Sequence, residues 1–116
     1  MPIRRLASLG VATMLPLLAA AHTHLLESTP AANSTGRAPA EFVLRFSEAT
    51  RLTALTLQRD GSAPAQKLAP LPAQAGKLLK LAAPSLAPGG YVLAWRAVAD
   101  DGHVMTGSLR FRIAAP

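Results

Sequence analysis

The sequence contains no cysteine. Disulfides and thiolate metal sites are therefore excluded, and stability must come from packing. Aromatic residues are scarce, at 4% of the 116 positions. The basic side chains Arg37, Arg45, Arg51, Arg59, Lys67, Lys77, Lys80 and Arg96 are scattered rather than gathered. Nucleic-acid binding calls for a basic stripe with stacking platforms, so that class gets little support, and the positive balance reads as solubility. No segment has a long amphipathic helical pattern, and no second apolar run follows the one near the start. Histidine is scarce, with only His22, His24 and His103.

What is present begins with a leader. "MPIRR" carries two positive charges, and "LASLGVATMLPLLAAA" is apolar, uncharged, and too short and alanine-rich for a comfortable membrane span. A basic start, an apolar middle and a small-residue end make a secretory signal peptide. Ala19 and Ala21 occupy the small-residue positions, which sets the cut between Ala21 and His22. The expected layout is a removed leader over 1–21 and one small domain over 22–116. Loss of Arg4 and Arg5 with the leader lowers the formal net charge of +6 by two.

After His22 the apolar period is two. "EFVLRFSE" puts Phe42, Leu44 and Phe46 on one face; "LTALTLQRDG" does so for Leu55 and Leu57, and "KLLKLAAP" for Leu79 and Leu81. "YVLAWRAV" aligns Tyr91, Leu93, Trp95 and Ala97, and "SLRFRIAA" aligns Leu109, Phe111 and Ile113. These are half-buried strands. Turn signals separate them at "NSTGRAPA", "RDGSAP", "LAPGG" and "ADDGH". Six or seven short strands predict an all-β fold, a small antiparallel Greek-key sandwich or barrel. "GSAPAQKLAPLPAQAG", residues 61–76, reads as a long loop or loosely held edge.

Two of the three histidines fall at the new amino terminus, and the third lies in "VADDGHVMTG" between the two best-defined strands. As residue one, His22 can chelate a single ion through its free amine and ring Nδ1. The amine has a reference pKa of about 8, so losing its proton costs little near neutral pH. On an extended segment Asp101 and His103 point to one side and can converge on one ion, whereas Asp100 points to the other. Three nitrogens and one oxygen suit tetragonal Cu(II), with Ni(II) tolerated. Taken alone, "DDGH" is also a good turn, and a histidine after a leader is usually without function. Both bland readings stay open at this level.

The residues from His22 to Ile113 resemble the CopC family of periplasmic copper-resistance proteins. The resemblance is carried by "HTHLLESTPA", "LRFSE" at 44–48, "LAPGGYVLAWRAVADDGH" at 86–103 and "GSLRFRI" at 107–113. It implies a small β-barrel of cupredoxin-like or immunoglobulin-like topology. It also implies a Cu(II) site made by His22 through amine and ring together with Asp101 and His103. Glu48 matches a family glutamate near the copper in some members, an outer-sphere role; a solvated strand-end carboxylate is the plain alternative. Some members bind Cu(I) through a methionine-rich loop. Here Met1 and Met14 leave with the leader and only Met105 remains, so no Cu(I) methionine site is expected.

"HTH" is also a motif that wraps Cu(II) with two deprotonated backbone amides, but that mode needs a flexible end. "THLLES" reads as a strand, which makes His24 a bystander or an outer group. The expected function is a periplasmic Cu(II) carrier or buffer, not an enzyme, binding one ion and handing it to a CopD-type inner-membrane protein. The rivals are a copper mono-oxygenase with a histidine brace, and a metal-free sandwich adaptor.

Overall fold

The structure is a computed structural model, which describes Gly10 and residues 23–61 and 64–116. The expected leader over 1–21 and its cut, and with them His22, lie outside the described residues, Gly10 apart. No helix occurs among the described residues, and none is therefore long and apolar enough to cross a membrane.

Seven strands form in chain order: β1 (Leu25–Thr29), β2 (Thr35–Gly36), β3 (Glu41–Arg59), β4 (Gln66–Lys67), β5 (Gly76–Ala82), β6 (Gly89–Ala99) and β7 (Val104–Ile113). Their hydrogen-bonded order is β1-β3-β6-β7-β2, with β4 and β5 also pairing β3. All pairings are antiparallel except β2 with β7, which is parallel. The all-β expectation is met, and the sheet is mixed rather than purely antiparallel.

The 19-residue β3 merges two segments that the periodicity separated. Nothing between them, "SEATR", contains proline or glycine, so no signal stops the strand. Its first half pairs β1 and β5, and its second half pairs β6 and β4. The β3–β5 register breaks between Arg45 and Thr50, and the β3–β6 register slips by one residue between Leu52 and Ala54. Bulges of this kind bend a strand and shift the alternation of its faces. Accordingly Phe42, Leu44, Phe46, Thr50 and Leu52 are buried, and past Thr53 the inward positions become Leu55 and Leu57.

The bend lets the two halves of β3 close on each other. Phe42 of the first half meets Phe111 of β7 at 6.0 Å between ring centroids, and Phe46 meets Trp95 of β6 edge-on at 6.3 Å. Tyr91 stacks on Phe111 at 5.4 Å, and its hydroxyl donates to the Ala87 carbonyl at 2.7 Å. Every aromatic residue of the chain is thus in the core. None remains outside as a platform for stacking bases or sugars, which agrees with the composition.

The alanine- and proline-rich stretch is pinned at one point. Gln66 and Lys67 pair with Leu57 and Thr56, the Leu68 amide donates to the Leu55 carbonyl at 2.9 Å, and the Leu68 side chain is buried.

Gly107 lies opposite Trp95 in the β6–β7 ladder, and a Cβ there would overlap the indole ring. Gly107→Ala should therefore displace Trp95 and destabilise the fold by about 1–3 kcal/mol, the usual range for overpacking. Urea unfolding followed by the emission of this one tryptophan reads both effects.

Candidate metal centre

Strands β6 and β7 pair without a register break from Gly89–Ile113 to Val98–Val104. The ladder ends where the Ala99 amide donates to the His103 carbonyl at 2.9 Å. Asp100, Asp101 and Gly102 form the loop, closed by the Gly102 amide on the Ala99 carbonyl at 2.9 Å. Gly102 has φ 85°, the left-handed conformation that a three-residue hairpin loop demands at its last position.

Asp101 and His103 are brought together by this turn. An extended segment would have set them side by side; the segment is instead a hairpin loop, and the carboxylate itself makes the contact. Asp101 Oδ1 accepts from the His103 backbone N–H at 3.0 Å, and Oδ2 lies 2.7 Å from His103 Nδ1. Both side chains face solvent, at 50% and 83% exposure respectively. The His103 backbone N–H, and then its ring, hold the Asp101 carboxyl below its ordinary pKa. A depressed carboxylate keeps its contribution above its unfolded pKa and loses it as pH falls through the lowered folded value. The tie between loop and ring is therefore intact at neutral pH and fails only in acid.

Asp100 is exposed in the same loop. Its exclusion from the pair rests on the Asp101 hydrogen bonds rather than on strand alternation. Met105 is half-buried and packs against the core.

The start of β1 lies at the same end of the sheet. Leu25 pairs with Phe46, and one residue earlier the Ser47 amide donates to the His24 carbonyl at 2.8 Å. The His24 amide donates in turn to Ser47 Oγ at 2.9 Å. Three residues further along β3, Thr50 pairs with Ala99, the residue that closes the hairpin. The bend of β3 from Ser47 to Thr50 therefore joins the start of β1 to the β6–β7 loop across about 10 Å of strand. Thr50 is fully buried, its hydroxyl satisfied by the Glu48 carbonyl at 2.8 Å. The Glu48 side chain is exposed on this bend.

Among the described residues no three His, Asp or Glu side chains cluster to hold a metal. Asp101 and His103 form a pair, and neither Glu48 nor His24 joins them in such a group. Sequence reasoning passed over Ser47, although it stands in the quoted "LRFSE" between a core phenylalanine and Glu48.

The model of the CopC domain matches residues 25–114. The chain belongs to the CopC family. It is 35% identical over 106 residues to copper resistance protein C of Pseudomonas syringae pv. tomato, covering 83% of each chain. The CopC crystal structure from Methylosinus trichosporium OB3b superimposes with a TM-score of 0.67 over 80% of this chain and 94% of that one, at 24% identity, and so supports the fold. PcoC of Escherichia coli, described as a methionine-rich copper resistance protein, gives a TM-score of 0.59 at 30% identity, covering 80% and 99%. This CopC-family chain departs from that description, since Met105 is its one methionine after Met14.

Proposed function

We propose that this chain is a periplasmic Cu(II) carrier or buffer. One ion is held by His22, through its free amine and ring Nδ1, together with Asp101 and His103. The observation that carries the reading is the Asp101–His103 pair, at 2.7 Å and open to solvent. Two ligands about 2.0 Å from an ion and at right angles to each other are about 2.8 Å apart. The pair thus has the spacing of adjacent ligands in a tetragonal site. An exposed pair also suits an ion that must be passed on.

The direction of β1 supports the third contributor. Walking back along β1 from Leu25 to His24 is walking along β3 from Phe46 towards Thr50 and the hairpin. Two residues can span up to about 7 Å, most of the gap. The copper-resistance relatives favour copper over other ions that N and O ligands accept. A carboxylate at the fourth position favours Cu(II) and fills the equatorial position that oxygen activation needs, so the carrier reading is preferred over a copper mono-oxygenase. The implied recipient is a CopD-type membrane protein.

The test begins with the mass of the exported protein, which should correspond to a chain starting at His22. That material should take up one equivalent of Cu(II), with an electron paramagnetic resonance spectrum of three nitrogens and one oxygen. Uptake of no copper by correctly trimmed protein would overturn the proposal.

A further inference from the structure

The amino terminus offers Cu(II) two incompatible modes. One is the site just proposed, on which this inference rests. The other is the wrap that "HTH" allows: the amine, the amides of Thr23 and His24 with their protons removed, and the His24 ring. That second mode satisfies copper with four nitrogens from three residues and needs nothing from the barrel. A carrier caught in it would lose the link between folding and metal uptake.

We infer that Ser47 selects between them. Its backbone N–H and its hydroxyl take both peptide groups of His24: the His24 carbonyl accepts from the Ser47 amide at 2.8 Å, and the His24 amide donates to Ser47 Oγ at 2.9 Å. The wrap requires the His24 amide nitrogen to give up its proton and turn into the plane of the metal. Here that proton is already committed to the Ser47 oxygen, and the peptide is held in register beside Phe46 and Leu25. A peptide N–H is a very weak acid, and copper displaces its proton only when the chain is free to rearrange. The clamp denies that freedom at its third residue while leaving the residues before Thr23 to the folded site. The bulge at Leu26, where the β1–β3 register slips, lies on the far side of Leu25. The clamp is thus what carries the β1–β3 pairing beyond its last regular pair. Ser47 is a positioning residue, acting on the mode of coordination without touching the ion.

The experiment uses the trimmed, exported chain. Without metal, hydrogen exchange of the His24 amide should be slow, and in Ser47→Ala roughly fivefold faster, the worth of one ordinary hydrogen bond. Loaded with one equivalent of Cu(II), Ser47→Ala should show a four-nitrogen component whose ratio to the folded-site spectrum is raised about fivefold over the unaltered protein, with added visible absorption at shorter wavelength. Ser47→Thr, which keeps the hydroxyl, should retain the spectrum of the unaltered protein. Adding His24→Ala to Ser47→Ala should abolish the four-nitrogen signal, while His24→Ala alone should leave the spectrum unchanged.

A fast-exchanging His24 amide in the unaltered protein overturns the inference, as does an unchanged copper spectrum in Ser47→Ala. The Ser47 amide and the Leu25–Phe46 pair survive the substitution, so folding is preserved, and far-ultraviolet dichroism checks it. Failure of the copper site itself would appear differently. The unaltered protein would then bind no Cu(II) while its His24 amide stayed protected.

Discussion

His103→Ala should lower Cu(II) affinity by at least a hundredfold. Losing a group that merely orients a metal ligand typically costs 10- to 100-fold, so losing a ligand should reach or pass the top of that range. Asp101→Ala should cost about as much, because this carboxylate makes two contributions. In the proposed site it would supply the oxygen, and through Oδ1 on the His103 amide and Oδ2 opposite Nδ1 it fixes where the imidazole stands. Neither variant should unfold the protein. Both side chains are exposed, and the hairpin keeps its Ala99–His103 and Gly102–Ala99 backbone bonds. His103→Ala should leave stability nearly unchanged, as for ordinary surface substitutions, and Asp101→Ala should lower it modestly through loss of the side-chain bond to the His103 amide. Competition titration against a chelator of known affinity measures the loss. Resonance spectra should show one nitrogen fewer in His103→Ala and the same number in Asp101→Ala. Unchanged affinity in both would mean that the copper sits elsewhere.

The strand assignments were legible because inward and outward positions differ so sharply in character. Phe42, Leu44, Phe46, Leu79, Leu81 and the inward residues of β6 and β7 are all buried as the period of two requires. What the period does not carry is connectivity. That β3 is one long bent strand follows from a bulge at Thr53, whose hydroxyl donates to the Arg96 carbonyl at 3.2 Å. The parallel pairing of the two-residue β2 with β7 is likewise a long-range outcome with no local pattern.

The candidate site was legible in part for a similar reason. Rare residues announce themselves, so Asp101 and His103 stand out in a chain of three histidines. Their contact, however, arises from an aspartate capping a tight loop, not from alternation along a strand. Ser47 was passed over because a serine in a strand carries no chemical signal of its own. Its importance comes from facing the His24 peptide, which only the β1–β3 register specifies. The five aromatic residues illustrate the converse. Their scarcity argued against stacking surfaces, and the fold spends every one of them in the core.

A chain that keeps Ala21 should lose Cu(II) affinity by a hundredfold or more, despite carrying every histidine. In the proposed site the amine and Nδ1 of a leading His22 would close a six-membered ring on the ion, and the second donor would bind with almost no further entropy cost. With Ala21 in front, the nitrogen of His22 is a peptide nitrogen, neutral and a poor ligand unless its proton is stripped. The new amine stands one residue further from the Asp101–His103 pair. The pH response should separate the two proteins as well. Protons compete with metal for the amine, so binding by the trimmed chain should tighten as pH rises towards about 8 and then level off. The extended chain should instead continue to gain affinity above that pH, because its best remaining mode removes a peptide proton. Both proteins have the same folded domain from Thr23 onward, and thermal unfolding without metal should be indistinguishable. Equal copper affinity and equal pH profiles would show that the free amine takes no part, leaving the Asp101–His103 pair to bind copper with some other partner.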